Sequence, residues 1–324
     1  MIKAFFASKK WVWWAYGGGA FLIFCIWLQV QLSVKFNDWY GRFYDILGKA
    51  QAHTVNDFYA SLLEWAYLVI PYVIIASAVN FLTRHYALRW RKAITFHYIP
   101  GWQPVEQKIE GASQRIQEDA KELGEIIESL GLRAVRSVMT LAAFIPVLWK
   151  LSAGVKIEML AGIPGSLVWI ALAATFGGMA ISWLVGWRLP KLEYNNQKVE
   201  AAFRKELVLS EDDRARRFEN NTFIGLFTGI QYNYSRLYLH YGYFDLWLTF
   251  YDVGVGLVPD IIMGPNLFTG AITLGILMQV NNAFFKVWGS FSFLIDNWTK
   301  ITKLRSVWMR LHEFEADLLK YRTQ

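Results

Sequence analysis

The amino-acid sequence predicts an all-α polytopic membrane protein with six long transmembrane helices. Its 324 residues are 55% hydrophobic and 17% aromatic, and they include 16 tryptophans. A soluble globular domain of ordinary composition carries far fewer large apolar side chains. Six apolar stretches of roughly 20 residues, each about long enough to cross a bilayer, support the same interpretation. We therefore expect residues 1–324 to form a single transmembrane domain.

The predicted spans are residues 11–34, 62–82, 135–151, 163–187, 237–258 and 268–288. Several are interrupted by Ser, Thr, Asn and Gln, which is typical of helices that line a wet interior. Trp11, Trp13 and Trp14 at the start of the first span indicate an interfacial aromatic belt. Residues 1–10 are too short and too polar for a separate signal peptide, so we expect the first span to be retained.

Lys and Arg residues are distributed asymmetrically between the two sides of the predicted membrane. With the N-terminus in the cytoplasm, the segments on the inner side hold 26 of the 33 basic residues, and those on the outer side hold four. This positive-inside pattern places both termini in the cytoplasm. It also accounts for the net charge of +7 and argues against a nucleic-acid partner.

Two inner segments of about 50 residues, 84–134 and 188–236, have helical periodicity and few helix breakers. They predict long helices that project into the cytoplasm. In the first segment, the run I-P-G-W-Q-P at residues 99–104 predicts a break, and a second helix is expected to return toward the membrane from Val105.

Carboxylates recur at helical spacing in the segment 188–236. Glu193, Glu200 and Glu211 are 7 and 11 positions apart, which places them within about 20° of one another on a helix. Glu206 faces elsewhere. Carboxylates that face a water-filled cavity near a membrane span are a usual way to bind and release protons.

A plainer interpretation of the same helix remains open. Glu193, Glu200 and Glu206 would then pair with neighbouring basic residues along a solvated helix face. The candidate basic partners in this alternative are Lys191, Lys198 and Arg204.

The segment 84–134 carries a second set of carboxylates. Glu118, Glu122 and Glu125 share a helix face by i, i+4, i+7 spacing, and Glu128 lies at its edge, close to the next span.

Ordered motifs along nearly the whole chain resemble those of the SbmA/BacA peptide-antibiotic transporters. They are N-D-W-Y-G-R-F-Y-D at 37–45, L-R-W-R at 88–91, Q-R-I-Q-E-D at 114–119, N-Q-K-V-E-A-A-F-R-K-E-L at 196–207, F-T-G-A-I-T-L-G-I-L-M-Q at 268–279 and R-L-H-E-F-E at 310–315.

The resemblance implies a fold similar to the membrane half of ABC exporters, with six long helices per subunit and a homodimer around a central cavity. It also implies import of peptides and peptide antibiotics across the bacterial inner membrane, driven by the proton gradient. In this family, acidic residues that line the lower cavity are implicated in proton coupling. The positions that match are Glu118, Glu128, Glu200 and Glu211, and Glu193 and Glu206 are possible additional cavity carboxylates.

The family carries no nucleotide-binding domain, and the sequence contains no G-x-x-x-x-G-K-[ST] motif that would cradle a phosphate. We therefore expect no ATP site, no cofactor, no metal and no enzymatic activity. Better-known members carry extra hydrophobic segments before the first of these helices, and this chain is expected to lack them.

Acidic cavity walls would favour cationic peptides. The alternative is a membrane subunit of an ATP-driven ABC transporter whose ATPase is a separate chain.

Overall fold

The structure, a computed structural model, describes residues 1–105, 109, 111–152, 163–212 and 220–322. Every regular element in this part of the chain is a helix, which confirms the predicted all-α class. The α-helices are α1 Ile2–Phe6, α2 Gly19–Gly48, α3 Val55–Trp102, α4 Ala112–Gln114, α5 Ala120–Ile126, α6 Leu132–Ser152, α7 Ser166–Gly186, α8 Leu189–Asp212, α9 Asn220–Phe268, α10 Leu274–Asp296 and α11 Trp298–Arg322. Of three π-helical turns, Trp13–Gly18 extends α2 at its start, and Arg115–Asp119 and Ile127–Gly131 join α4, α5 and α6 into one longer helix.

Five helices in the described ranges are long and apolar enough to cross a membrane, so the chain is a multi-pass membrane protein. They are Trp13–Gly48, Val55–Trp102, Ala112–Ser152, Ser166–Glu211 and Asn221–Phe268. The sixth predicted span, 268–288, corresponds to α10, which is a helix but does not reach the same hydropathy. Its sequence includes Gln279, Asn281, Asn282 and Lys286, whose polar side chains lower the average.

The structure corrects the predicted boundary between the fifth and sixth spans. Residue 258 does not end a helix, because α9 continues through Pro259 and Pro265 to Phe268. Proline lacks an amide proton, but membrane helices tolerate it where neighbouring groups satisfy the freed carbonyls. The turn comes later, at Gly270, whose φ of 71° favours glycine.

The predicted break after α3 is confirmed, but the position of the following helix was wrong. α3 ends at Trp102, so Pro100 is accommodated in its last turn. Among the described residues, the next helix begins at Ala112 rather than Val105, directly after Gly111 with φ 71°. From there the chain stays helical to Ser152, through two π-helical turns that spacing analysis did not anticipate.

The helices group into two compact units, residues Met1–Leu172 with Pro259–Gln324, and residues Ala173–Val258. In the first unit, α2, α3, α6 and α10 pack against one another. One apolar core joins α2, α3 and α6 around Ile26 and Val79. A second core joins the end of α3, the helices after Ala112 and α11 around Leu123 and Leu311.

Polar contacts fix α2 against α10 in the first unit. Asn282 Nδ2 donates a hydrogen bond of 2.8 Å to Oδ1 of buried Asn37, and the backbone amide of Gly275 donates one of 2.8 Å to Oδ1 of Asp45. Gly275 also lies so close to Gly41 that a Cβ atom at position 275 would overlap the Gly41 carbonyl oxygen. These residues belong to the motifs at 37–45 and 268–279 or follow directly after them, so the two motifs form one helix contact.

A buried ion pair fixes α11 against the helix that begins at Ala112. Asp119 is 1% exposed, and its Oδ1 accepts a hydrogen bond of 2.7 Å from Arg310 Nη2. Arg310 Nε donates to both carboxylate oxygens, and Arg115 Nη1 donates to Oδ2 at 2.8 Å. The hydrogen bond from Arg310 to Asp119 raises the pKa of the Arg310 guanidinium, so this cation stays charged at any physiological pH.

The second unit is held by contacts among α7, α8 and α9. Trp247 Nε1 donates to Ser182 Oγ at 2.9 Å, and the Tyr251 hydroxyl donates to the carbonyl of Ala174 at 2.8 Å. Phe203 of α8 packs edge-on against Phe223 of α9, with ring centroids 6.0 Å apart. Aromatic side chains of α9 therefore serve as anchors for both neighbouring helices.

Replacing Asp119 by Asn should destabilise the first unit. The change leaves two arginines beside a buried amide, and breaking a buried pair costs about 3–5 kcal/mol. Because the Arg310 side chain is 32% exposed and partly screened by water, we expect a loss just below this range, about 2–3 kcal/mol. Thermal unfolding of the purified protein in detergent would measure the loss. Glu313→Gln, at an exposed position of the same helix as Arg310, is the control and should leave the midpoint unchanged.

Replacing Gly275 by Ala should disrupt the contact between α2 and α10. The added methyl group meets the backbone of Gly41 and the carboxylate of Asp45, and overpacking of this kind costs about 1–3 kcal/mol or more. Gly289→Ala lies on the same helix with no atom near the added Cβ, so it should be neutral or stabilising by up to about 1 kcal/mol. Equal unfolding midpoints for the two variants would contradict this account.

Candidate functional site

A polar cavity of about 390 Å³ lies between α3 and the helix that runs from Ala112 to Ser152. Its lining residues are Val79, Asn80, Thr83, Arg84, Glu128, Ser129, Leu132, Arg133 and Arg136. The cavity therefore contains Glu128, one of the four carboxylates that the sequence predicts to couple protons. Arg84 and Glu128 belong to a predicted inner segment, and Arg136 belongs to the start of a predicted span. We therefore expect the cavity to lie at the cytoplasmic end of the spans.

Glu128 reaches the cavity from a π-helical turn, Ile127–Gly131. Such a turn contains one extra residue, so it changes the direction of the side chains that follow, and it often occurs at functional positions. The Glu128 side chain is 36% exposed, and its Oε1 lies 3.4 Å from Arg84 Nε. At this distance the ion pair is longer than a typical charge-assisted hydrogen bond of about 2.7–2.9 Å.

Arg136 connects the cavity to α2. Its Nη2 donates a hydrogen bond of 2.6 Å to Oε1 of Gln29. Gln29 is 2% exposed, and its Nε2 has no hydrogen-bond partner. Half-buried Lys286 of α10 lies close enough to Arg136 for the two positive charges to repel each other. Sequence analysis singled out none of these three residues, although a basic or amide side chain inside a predicted span is itself a signal of function.

Glu118 does not lie in a comparable position. It is exposed, whereas the next residue, Asp119, is buried. The buried carboxylate of the motif Q-R-I-Q-E-D is thus Asp119, which the sequence analysis missed. The signal was present in the sequence, since Arg115 precedes Asp119 by one helical turn and Arg310 belongs to another of the family-like motifs.

The carboxylates adjacent to Glu118 are engaged in ion pairs. Glu122 pairs with Lys303 of α11, and this contact raises the pKa of the Lys303 ammonium. Glu125 pairs with Lys121 at 3.6 Å. The predicted face of Glu118, Glu122 and Glu125 is therefore partly used to hold helices together.

The remaining predicted carboxylates lie on α8, in the second unit. α8 is regular, which confirms that the helical spacing used to align Glu193, Glu200 and Glu211 applies. Glu200 and Glu211 are exposed, and Glu193 and Glu206 are half-buried.

The alternative ion pairs along α8 do not form. Among the described residues, no basic group lies within ion-pair distance of these four carboxylates, and the Lys198 ammonium lies instead 5.1 Å from the ring centroid of Tyr194. The stripe is a row of unpaired negative charges in the described part of the chain.

Comparison with known proteins places these features in a family. A model of the SbmA/BacA-like family matches residues 8–319. The inner membrane ABC transporter ATP-binding protein YddA of Escherichia coli is 26% identical over 307 residues, which cover 88% of this chain and 54% of that protein. An uncharacterized ABC transporter ATP-binding protein of Haemophilus influenzae is 24% identical over 314 residues, covering 90% of this chain and 52% of that protein.

A plant relative matches as well. ABC transporter D family member 2, chloroplastic, of Arabidopsis thaliana is 26% identical over 247 residues, which cover 74% of this chain and 33% of that protein. The chain spans about half the length of the bacterial relatives and a third of the plant one. The family match covers nearly all of the helical core described above, including the cavity and both sets of carboxylates, and the chain therefore belongs to the SbmA/BacA-like family of membrane transporters.

Proposed function

We propose that this chain is one subunit of a homodimeric transporter that imports peptides and peptide antibiotics across the bacterial inner membrane, driven by the proton gradient. The observation that carries the proposal is Glu128, a carboxylate that lines a polar cavity in a protein of the SbmA/BacA-like family. A carboxylate that is reachable by water and paired to a single cation can bind a proton and release it again. The proposal includes α10 as the sixth span and both termini in the cytoplasm.

Protonation of Glu128 would act on the contact between two helices. The ionised carboxylate attracts Arg84 of α3, whereas the neutral acid does not. Loading a proton therefore weakens the attraction between α3 and the turn Ile127–Gly131. A transporter that alternates between outward-open and inward-open states needs such a contact, which holds in one protonation state and separates in the other.

The carboxylates of α8 are the second part of the proposed proton pathway. Glu200 and Glu211 are exposed and lack a described cationic partner, so each repels other negative charges that approach it. In a homodimer around a central cavity, every such stripe occurs twice. Protons that neutralise the stripes would lower the repulsion between subunits. We propose Glu118 as a further, exposed member of the pathway and Glu193 and Glu206 as additional acidic residues.

A second candidate is the membrane subunit of an ATP-driven ABC transporter whose ATPase is a separate chain. The printed names of the relatives favour it, since those of Escherichia coli and Haemophilus influenzae are called ATP-binding proteins. The two candidates differ in their energy source, and uptake measurements separate them.

Purified protein in sealed liposomes should accumulate a fluorescent cationic peptide when the outer side is made acidic and no ATP is present. Uptake should stop when a protonophore dissipates the gradient, since protons are then no longer driven inward. The measurement is peptide fluorescence inside the vesicles over time. Uptake that requires ATP and a second protein, and that ignores the pH gradient, would establish the ABC candidate instead.

Glu128→Gln and Glu200→Gln should each reduce gradient-driven uptake to background, because an amide mimics the neutral acid at nearly constant size but cannot exchange a proton. Glu118→Gln and Glu211→Gln should have similar or smaller effects. Unfolding midpoints and dimer content, measured by size-exclusion chromatography, should stay normal.

Glu64→Gln is the control for these variants. Glu64 forms an exposed ion pair with Arg42 near the opposite end of the predicted spans, and exposed pairs contribute about 0–1 kcal/mol. Peptide uptake by the Glu64→Gln variant should match that of the unmodified protein. Glu158, which belongs to a predicted outer loop and is expected to tolerate the same change, lies outside the described residues. Normal uptake by both Glu128→Gln and Glu200→Gln would remove these carboxylates from the mechanism.

A further inference from the structure

The cavity around Glu128 has more positive than negative charge. Arg84, Arg133 and Arg136 line it together with one carboxylate, that of Glu128, which leaves two positive charges without a counter-charge in the lining. Excess positive charge next to a membrane span raises the free energy of the protein unless an anion is present for part of the time. The cavity therefore differs from the acidic surface expected from sequence.

The excess of positive charge is larger on the side of the cavity toward α10. Arg136 and Lys286 are close enough to repel each other, yet within the described residues neither has a carboxylate at ion-pair distance. Arg136 donates instead to the neutral side chain of Gln29. The buried Nε2 of Gln29 is a further donor, and it has no acceptor among the described residues. Arg136 of the cavity lining thus neighbours a second cation and a second donor that lie outside the lining, and an anion is the group that would satisfy them.

The lining favours a small planar anion. Guanidinium groups bind carboxylates through two parallel N–H···O bonds, which gives both affinity and orientation. The hydroxyls of Thr83 and Ser129 already donate to backbone carbonyls, so the charged donors of the cavity are those of its three arginines. A volume of about 390 Å³ admits the end of a peptide rather than a folded chain.

We propose that this cavity binds a carboxylate of the transported molecule, which for a peptide is its C-terminal carboxylate, between Arg133 and Arg136. The inference rests on the proposed function, because it names the part of a transported peptide that the site recognises. It requires no particular side chain in the substrate. A site of this kind selects against peptides whose C-terminus is an amide.

Glu128 is an internal competitor in this site. Its Oε1 already lies 3.4 Å from Arg84 Nε. The Arg84 side chain is 74% exposed, so a second anion can also reach it. A substrate carboxylate that reaches Arg84 competes with Glu128 for the same cation. Removing the Glu128 charge should therefore strengthen carboxylate binding while it abolishes transport, and a merely structural role of Glu128 would not produce this opposite pair of effects.

The test uses one short cationic peptide in two forms, with a free C-terminal carboxylate or with a C-terminal amide. Equilibrium binding to the full chain in neutral-lipid nanodiscs is measured by fluorescence anisotropy, with no proton gradient. We expect the carboxylate form to bind about tenfold more tightly. Arg133→Gln and Arg136→Gln should each remove most of this preference, and Glu128→Gln should increase it by a few fold.

Lys121→Gln is the matched control. Lys121 lies on the same continuous helix, is exposed, pairs with Glu125 and does not line the cavity. It should keep the full preference for the carboxylate form. If Arg136→Gln fails to fold, as judged by its unfolding midpoint, the exposed Arg133 and Arg84 provide substitute Gln variants that test the same cations.

Equal affinity for the two peptide forms would overturn the proposal, and it would also be the result if a lipid phosphate occupied the cavity. That outcome leaves the proposed function intact when the amide peptide is still taken up under a proton gradient. Conversely, a clear carboxylate preference at equilibrium, together with no gradient-driven uptake of either peptide, would support the binding site and reject proton-driven import.

Discussion

Polar side chains inside predicted membrane spans must find their partners within the protein, and the first unit is arranged around this constraint. Lipid offers no hydrogen bonds, so an unpaired polar group there is costly. Asn282 and the Gly275 amide, which belong to the predicted sixth span, find their partners in Asn37 and Asp45 of α2. Each contact fixes the register of the two helices, because sliding one past the other would leave a buried polar atom without a partner. The polar residues of α10 lower its mean hydropathy, and two of them, Asn281 and Asn282, donate hydrogen bonds to Asp260 of α9 and Asn37 of α2.

Sequence periodicity was sufficient for the properties that depend on local composition. The all-helical class, the membrane-spanning helices and the regular α8 all follow from apolar runs and strong helix formers, whose effect is set within a few residues. Boundaries were less predictable where proline occurs. The fifth span was predicted to end at residue 258, directly before a proline, yet α9 continues through Pro259 and Pro265. The outcome depends on what surrounds the freed carbonyl groups, and this information lies in tertiary structure rather than in the local sequence.

The candidate site was predicted only in part, because helical spacing does not say which face of a helix packs against the protein. The buried face of the helix after Ala112 carries Asp119, whereas Glu118 is exposed. Contacts between residues far apart in the sequence could not be predicted from spacing either. The pairing of Arg136 with Gln29 joins positions 107 residues apart, and no spacing rule connects them. The sequence motifs identified the helices that carry the site, but the cations of the cavity emerged only from the folded arrangement.

Two of the ion pairs of this helix differ in how readily they can open. Asp119 is 1% exposed and accepts hydrogen bonds from two arginines at 2.7 and 2.8 Å, so protonating it would leave both cations beside a neutral buried group. This free-energy cost keeps the ion pairs between Asp119 and the two arginines formed. Glu128 is 36% exposed and lies 3.4 Å from a single, largely solvated arginine. Because water can replace either partner, opening this pair costs little, and a proton or a competing anion is enough to shift it. The coupling role proposed for Glu128 requires a residue that changes state at each cycle, and a weak, accessible ion pair of this kind meets that requirement.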